Sequence, residues 1–233
     1  MSNADFLPVC ERLLRKVDPQ VTRPVYLVDV SEVEDTRLHA GDNWIAWTGV
    51  FLDLQLQDHL ERKGVWAGRG FATLLRLDRL EPGLRFVAGC VLHEYAHHCV
   101  DLLAYESCYV DTDDSELEQQ RREIAELVTT KTAAWMAEPI IVDANRPTWE
   151  AHELPFVRAC CHLSHRANQV FESIRPAHLR FIKPYHWHPM SENQFVSACG
   201  DELDSDGSIT QVLTREPPAS LIDLWRMQTD HPS

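Results

Sequence analysis

The chain has 233 residues, long enough for one sizeable domain or two small ones. Its apolar share of 44% and charged share of 25% are ordinary for a globular protein. The 22 basic and 36 acidic side chains leave a formal net charge of -14, which argues against nucleic acid or an anionic membrane surface as the main partner.

The opening "MSNADFLPVCERLLRKVD" has no basic start followed by a long apolar run, so no signal peptide is expected. Residues 5–17 read instead as a short amphipathic helix with Phe6, Leu7, Val9, Leu13 and Leu14 on its apolar side. "RPVYLVDV" (23–30) is a β-branched and aromatic run and predicts a strand. "NWIAWTGVFLDLQL" (43–56) predicts one or two further strands, with Gly49 as a turn or bulge. "GVWAGRGFATLLRLDRLEPG" leads on to Pro82-Gly83, which punctuates the chain and predicts a helix start near Leu84.

From Leu84 to about Ala104, apolar residues recur at 84, 87, 88, 91, 92, 95, 99, 102 and 103, and the opposite side is also largely uncharged. A helix apolar nearly all round is a buried one. Histidines, Glu94 and Asp101 interrupt this stretch, so no transmembrane span is expected. A second helix is predicted over 115–139, where Ser115 and Glu118 form a capping box and Pro139 closes the far end. A third runs from about Leu154 to Ile174, and "ENQFVSACGDELD" and "PASLIDLWRMQ" predict short C-terminal helices. Seven cysteines in irregular spacing, without a C-x-x-C pair, fit reduced thiols in a cytoplasmic protein. The adjacent Cys160 and Cys161 read as buried helix residues.

The sum is an α+β fold over 1–233 as one domain. A small mixed sheet lies in 1–83, two central helices occupy 84–138, and a mostly helical part fills 139–233.

The polar groups of the buried helix follow a pattern. His93-Glu94-Tyr95-Ala96-His97 is H-E-x-x-H. At about 100° per residue, His97 lies roughly 40° around the helix from His93 and one turn along, so both imidazoles can hold one ion. Glu94, about 100° from His93 and 60° from His97, sits beside that ion, where it can take a proton from a bound water. His98 is rotated about 100° from His97 and stands apart from the pair. Two buried imidazoles beside a carboxylate are costly without a partner such as a metal.

"VLHEYAHH" resembles the active-site helix of the H-E-x-x-H zinc metallopeptidases, the zincins. The extended form with a glycine and a third histidine just downstream is absent, because the chain continues "HCVDLLAYESC". The resemblance is therefore to the gluzincin-like group, in which a glutamate on a following helix supplies the third ligand. It covers residues 84–138 and implies a zincin-like fold, one Zn2+ per chain, a peptide or protein substrate and Glu94 as general base. His93 and His97 would be two of the ligands. The third would come from Glu126 or Glu123 in "RREIAELVTTKTAAW". Glu126 is preferred, because Thr129, Thr130, Ala133 and Ala137 follow it on its face and small residues permit close approach of the two helices. Metallopeptidases of the ImmA/IrrE kind similarly carry small residues at +3 and +7 from a ligand glutamate. The resemblance also implies an edge strand that binds an extended peptide, expected within 43–56.

Two other accounts compete. Glu94-x-x-His97 is half of a di-iron bundle pattern, which needs a second such repeat and two further glutamates; one repeat is present. The chain could also be a catalytically silent regulatory module that keeps the motif as a structural zinc site. His162 and His165 share a helix face, while His152, His178, Tyr185, His186 and His188 offer further polar groups near the C-terminal part.

Overall fold

The computed structural model describes residues 2–18, 25–33, 46–49, 59–65, 71–104, 154–171, 174–181 and 192–229. The predicted helix over 115–139, with Glu123 and Glu126, lies outside the described residues, as do His152, Tyr185, His186 and His188.

A turn of 3-10 helix at Asn3–Phe6 leads into α1 (Leu7–Val17), which buries Cys10, Leu13, Leu14 and Val17. Strand β1 (Val25–Asp29) follows, then β2 (Ala46–Gly49) and β3 (Phe71–Leu75). The sheet order is β1-β3-β2, with β1 parallel and β2 antiparallel to β3, so the sheet is small and mixed. Its centre is a strand that the pattern did not predict. In "FATLLRL", Ala72, Thr73, Leu74, Leu75 and Leu77 are all buried, so the run shows no alternation of apolar and polar residues. The two faces serve different layers. Val25 and Leu75 join the main core of helices, while Tyr26, Val28, Ala72 and Leu74 pack with Val30, Val33 and Leu60 on the other side.

α2 (Leu84–Ala104) begins where Pro82-Gly83 predicts. Asn3 fastens the turn ahead of it: its side-chain amide donates to Leu77 O at 3.0 Å and Leu80 O at 3.2 Å, and Gly83 N–H donates back to Asn3 Oδ1 at 3.2 Å. The C-terminal part is helical, with α3 (Leu154–Val170), α4 (Pro176–Leu179), α5 (Glu192–Cys199), a 3-10 turn at Gly200–Asp204, α6 (Ile209–Leu213) and α7 (Ala219–Thr229). α2 runs through the middle, touching α1, α3, α4, α6, β2 and β3. Val87, Ala88, Val91, Leu92, Tyr95, Ala96 and Cys99 are buried around its circumference. The α+β class holds, and no helix among the described residues is long and apolar enough to cross a membrane.

Two buried polar clusters tie this assembly together. Asp18, just past α1, accepts from the Tyr95 hydroxyl at 2.8 Å and from Ile209 N–H at 3.3 Å, joining α1, α2 and α6. Arg158 on α3, wholly buried, pairs both Glu202 oxygens and donates to Arg215 O at 2.7 Å. His162, one turn on, shares Glu202 at 3.2 Å, while His165 takes Asp204 at 3.1 Å. The two histidines thus face one 3-10 turn but bond different carboxylates. The six cysteines among the described residues are free, and Cys160 and Cys161 are fully buried.

The Glu202 cluster predicts acid sensitivity. Because a carboxylate oxygen only accepts, His162 Nε2–H donates to Glu202, and the lone pair is on Nδ1. Nδ1 is buried and has no hydrogen-bond partner among the described residues, so a second proton there would find no acceptor. Burial accordingly holds the imidazole below its ordinary value of 6.5, against the opposing pull of Glu202. Burial pushes Glu202 upward, but hydrogen bonds from His162 and Arg158 outweigh it and hold the carboxyl below its ordinary 4.5. Both shifts have one consequence. On acidification the unfolded chain takes up protons before the folded one, so stability declines first below pH 6.5 and further below pH 4.5. The unfolding midpoint is expected to fall between pH 7 and pH 5.5, and His162→Gln to flatten that step. A His162→Gln profile parallel to wild type would rule the assignment out.

Candidate metal centre

α2 brings His93 and His97 together on one side, one turn apart, as helical spacing requires. Their ring centroids are 5.0 Å apart with the planes inclined at 73°. A zinc bound through a ring nitrogen lies about 3.2 Å from the imidazole centroid, and a tetrahedral angle then sets two such centroids about 5 Å apart. The spacing of the pair is compatible with one shared ion and also with ordinary edge-to-face ring packing.

The ring of His93 is oriented by a group distant in sequence. Its Nδ1 lies 2.8 Å from the carbonyl oxygen of Leu179, at the end of α4. A carbonyl only accepts, so Nδ1 carries the proton and the lone pair is on Nε2. That tautomer is the one in which Nε2 can act as a ligand, with the carbonyl as the outer partner typical of metal-bound histidine.

Phe156 packs against both rings. Its ring stacks on His97 at 4.2 Å between centroids with the planes 25° apart, and meets His93 edge-on at 4.9 Å. Phe156 is buried in the first turn of α3, so both imidazoles rest on a rigid apolar surface. Glu94 follows His93 on the helix and is 7% exposed, shielded from bulk water on the same helix as the pair. His98 is turned toward Tyr95, with ring centroids 5.9 Å apart. His178 accepts the Arg175 N–H at Nδ1, 2.9 Å away, and caps its own short helix.

Among the described residues, no three His, Cys, Asp or Glu side chains form a metal-holding group. The structure thus places His93, His97 and Glu94, while Glu126 and Glu123 fall outside the described residues. The described residues supply two imidazoles with ring centroids 5.0 Å apart, one of them in a defined tautomer, which is two of the four donors of a tetrahedral zinc site. Phe156 and Leu179 were not singled out from sequence. Phe156 reads there as one more core aromatic, and a backbone carbonyl carries no residue-type signal at all. Comparison with known protein families, with characterised proteins and with solved structures gives no match.

Proposed function

We propose that the chain is a zinc-dependent peptidase of the zincin type. The observation that carries this reading is the His93–His97 pair, 5.0 Å apart on a buried helix, with His93 oriented through Nδ1 by Leu179 O. Zinc bound there supplies a lowered pKa for a water in its open position and polarises a substrate carbonyl. His93 and His97 hold the ion, and Glu126, or Glu123, is the third ligand expected from the following helix. Glu94 takes the proton of the attacking water and passes it to the leaving amine. Phe156 keeps both imidazoles in place. β2 is an edge strand of the described sheet and packs against α2, which suits an extended peptide added alongside it.

Metal analysis of the purified chain is expected to give one zinc per chain, with chelator-sensitive hydrolysis of peptide substrates. His97→Ala, which removes one ligand, should lower zinc affinity by at least about 100-fold and abolish hydrolysis together with the metal. Two irons per chain would favour the di-iron account instead. A full zinc complement without hydrolysis of any peptide would favour the regulatory module.

A further inference from the structure

Gly89 lies one helical turn before His93 on α2, in the middle of a buried helix. A glycine there weakens the helix and calls for a packing reason. The reason is α4. A Cβ at position 89 would stand 2.3 Å from the carbonyl oxygen of His178 and 2.6 Å from its carbon, so only glycine lets the backbone of α4 lie this close to α2. The next carbonyl along, that of Leu179, is the one that accepts from His93.

The same short stretch contains a backbone rarity. Arg180, with φ 47° and ψ 45°, is the sole non-glycine residue at positive φ among the described residues. This left-handed conformation is disfavoured for a residue with a Cβ. Its side chain is 62% exposed and reaches Glu81 at 3.4 Å, so surface contacts of the guanidinium do not explain the conformation. The neighbours do: Leu179 and Phe181 are both buried, each 1% exposed, and a left-handed residue between them reverses the chain. The reversal caps α4 and fixes the peptide plane whose oxygen meets His93.

We infer that the 176–180 turn, seated on Gly89 and reversed at Arg180, is a positioning device for the ligand imidazole of His93. Gly89 and Arg180 touch neither substrate nor ion. They act through Leu179 O, which holds His93 as the Nδ1–H tautomer and directs Nε2 at the metal position. This rests on the zinc reading for its purpose, but the tautomer itself belongs to the metal-free chain.

The test uses full-length, metal-free protein with 15N-labelled histidine at pH 8, with the His93 signals assigned by their loss in His93→Gln. Wild type is expected to show a protonated Nδ1 and an unprotonated Nε2. Three variants separate backbone conformation from side chain. Gly89→Ala displaces α4, and Arg180→Val opposes the left-handed conformation with a β-branched residue. Arg180→Gly removes the guanidinium yet favours that conformation. Gly89→Ala and Arg180→Val should give mixed His93 tautomers and weaken zinc binding by about 10-fold or more, while Arg180→Gly should match wild type in both. Should Gly89→Ala fail to fold, the two substitutions at exposed Arg180 decide the matter. Wild-type His93 protonated at Nε2, or an Arg180→Val protein with wild-type tautomer and zinc affinity, overturns the inference. A chain that binds no zinc yet keeps the Nδ1–H tautomer and its loss in Arg180→Val overturns the zinc reading and supports the turn's hold on His93.

Discussion

Glu94→Gln is expected to leave zinc binding intact and to lower peptide hydrolysis by about 10²- to 10⁴-fold, the usual contribution of a positioned general base. Glu94 and glutamine have nearly the same shape, so the substitution preserves packing at a site only 7% exposed. It removes the one property the mechanism needs, the ability to accept a proton. In the proposed scheme His93 and His97 are ligands, and Glu94 stands about 100° round the helix from His93, beside the ion rather than on it. Metal content and hydrolysis should therefore separate in this variant, whereas in His97→Ala they fall together. Retained hydrolysis in a zinc-replete Glu94→Gln protein would remove Glu94 from the mechanism. Loss of zinc in the same variant would make it a ligand instead, and the H-E-x-x-H assignment would have to change.

The largest effect on stability is expected at Arg158. The side chain is wholly buried, spans both oxygens of Glu202, and satisfies Arg215 O at 2.7 Å and Glu216 O at 3.4 Å. Arg158→Ala leaves a mostly buried carboxylate without its cation and several acceptors without donors. Breaking a buried pair from one side costs about 3–5 kcal/mol. For a chain of this size, that corresponds to a fall in unfolding midpoint of roughly 6–20 °C. Arg158→Lys should recover only part of it, because an ammonium cannot reproduce the planar two-oxygen contact. Urea denaturation of the three proteins at pH 7.5 checks both statements. A change below 1 kcal/mol in Arg158→Ala, about the worth of an exposed ion pair, would show that the cluster is hydrated and that its burial contributes little.

Local rules carried much of the chain. Helical periodicity, Pro82-Gly83 and the all-round apolar character of 84–104 predict a buried central helix, and α2 occupies Leu84–Ala104 with core residues on every side. The β-branched run at 23–30 predicts β1, and the 43–56 stretch contains β2. Helical spacing alone also places His93 and His97 one turn apart on one side, because the 100° step is a property of the backbone and needs no tertiary contact. The 154–174 helix is shorter than its pattern, ending at Val170.

Tertiary structure decided the rest, for three physical reasons. β3 is central and covered on both faces, so its sequence has no period of two, and its Leu and Ala content suits a helix as well. From the sequence His162 reads only as sharing a helix face with His165, yet it is wholly buried, because Glu202, 40 residues away, supplies the acceptor that makes burial tolerable. The orientation of His93 depends on a main-chain oxygen 86 residues distant, and every residue has such an oxygen. The chain by itself names which side chains share a helix face. Only the fold determines which backbone atom reaches His93, and it does so where Gly89 leaves room for it.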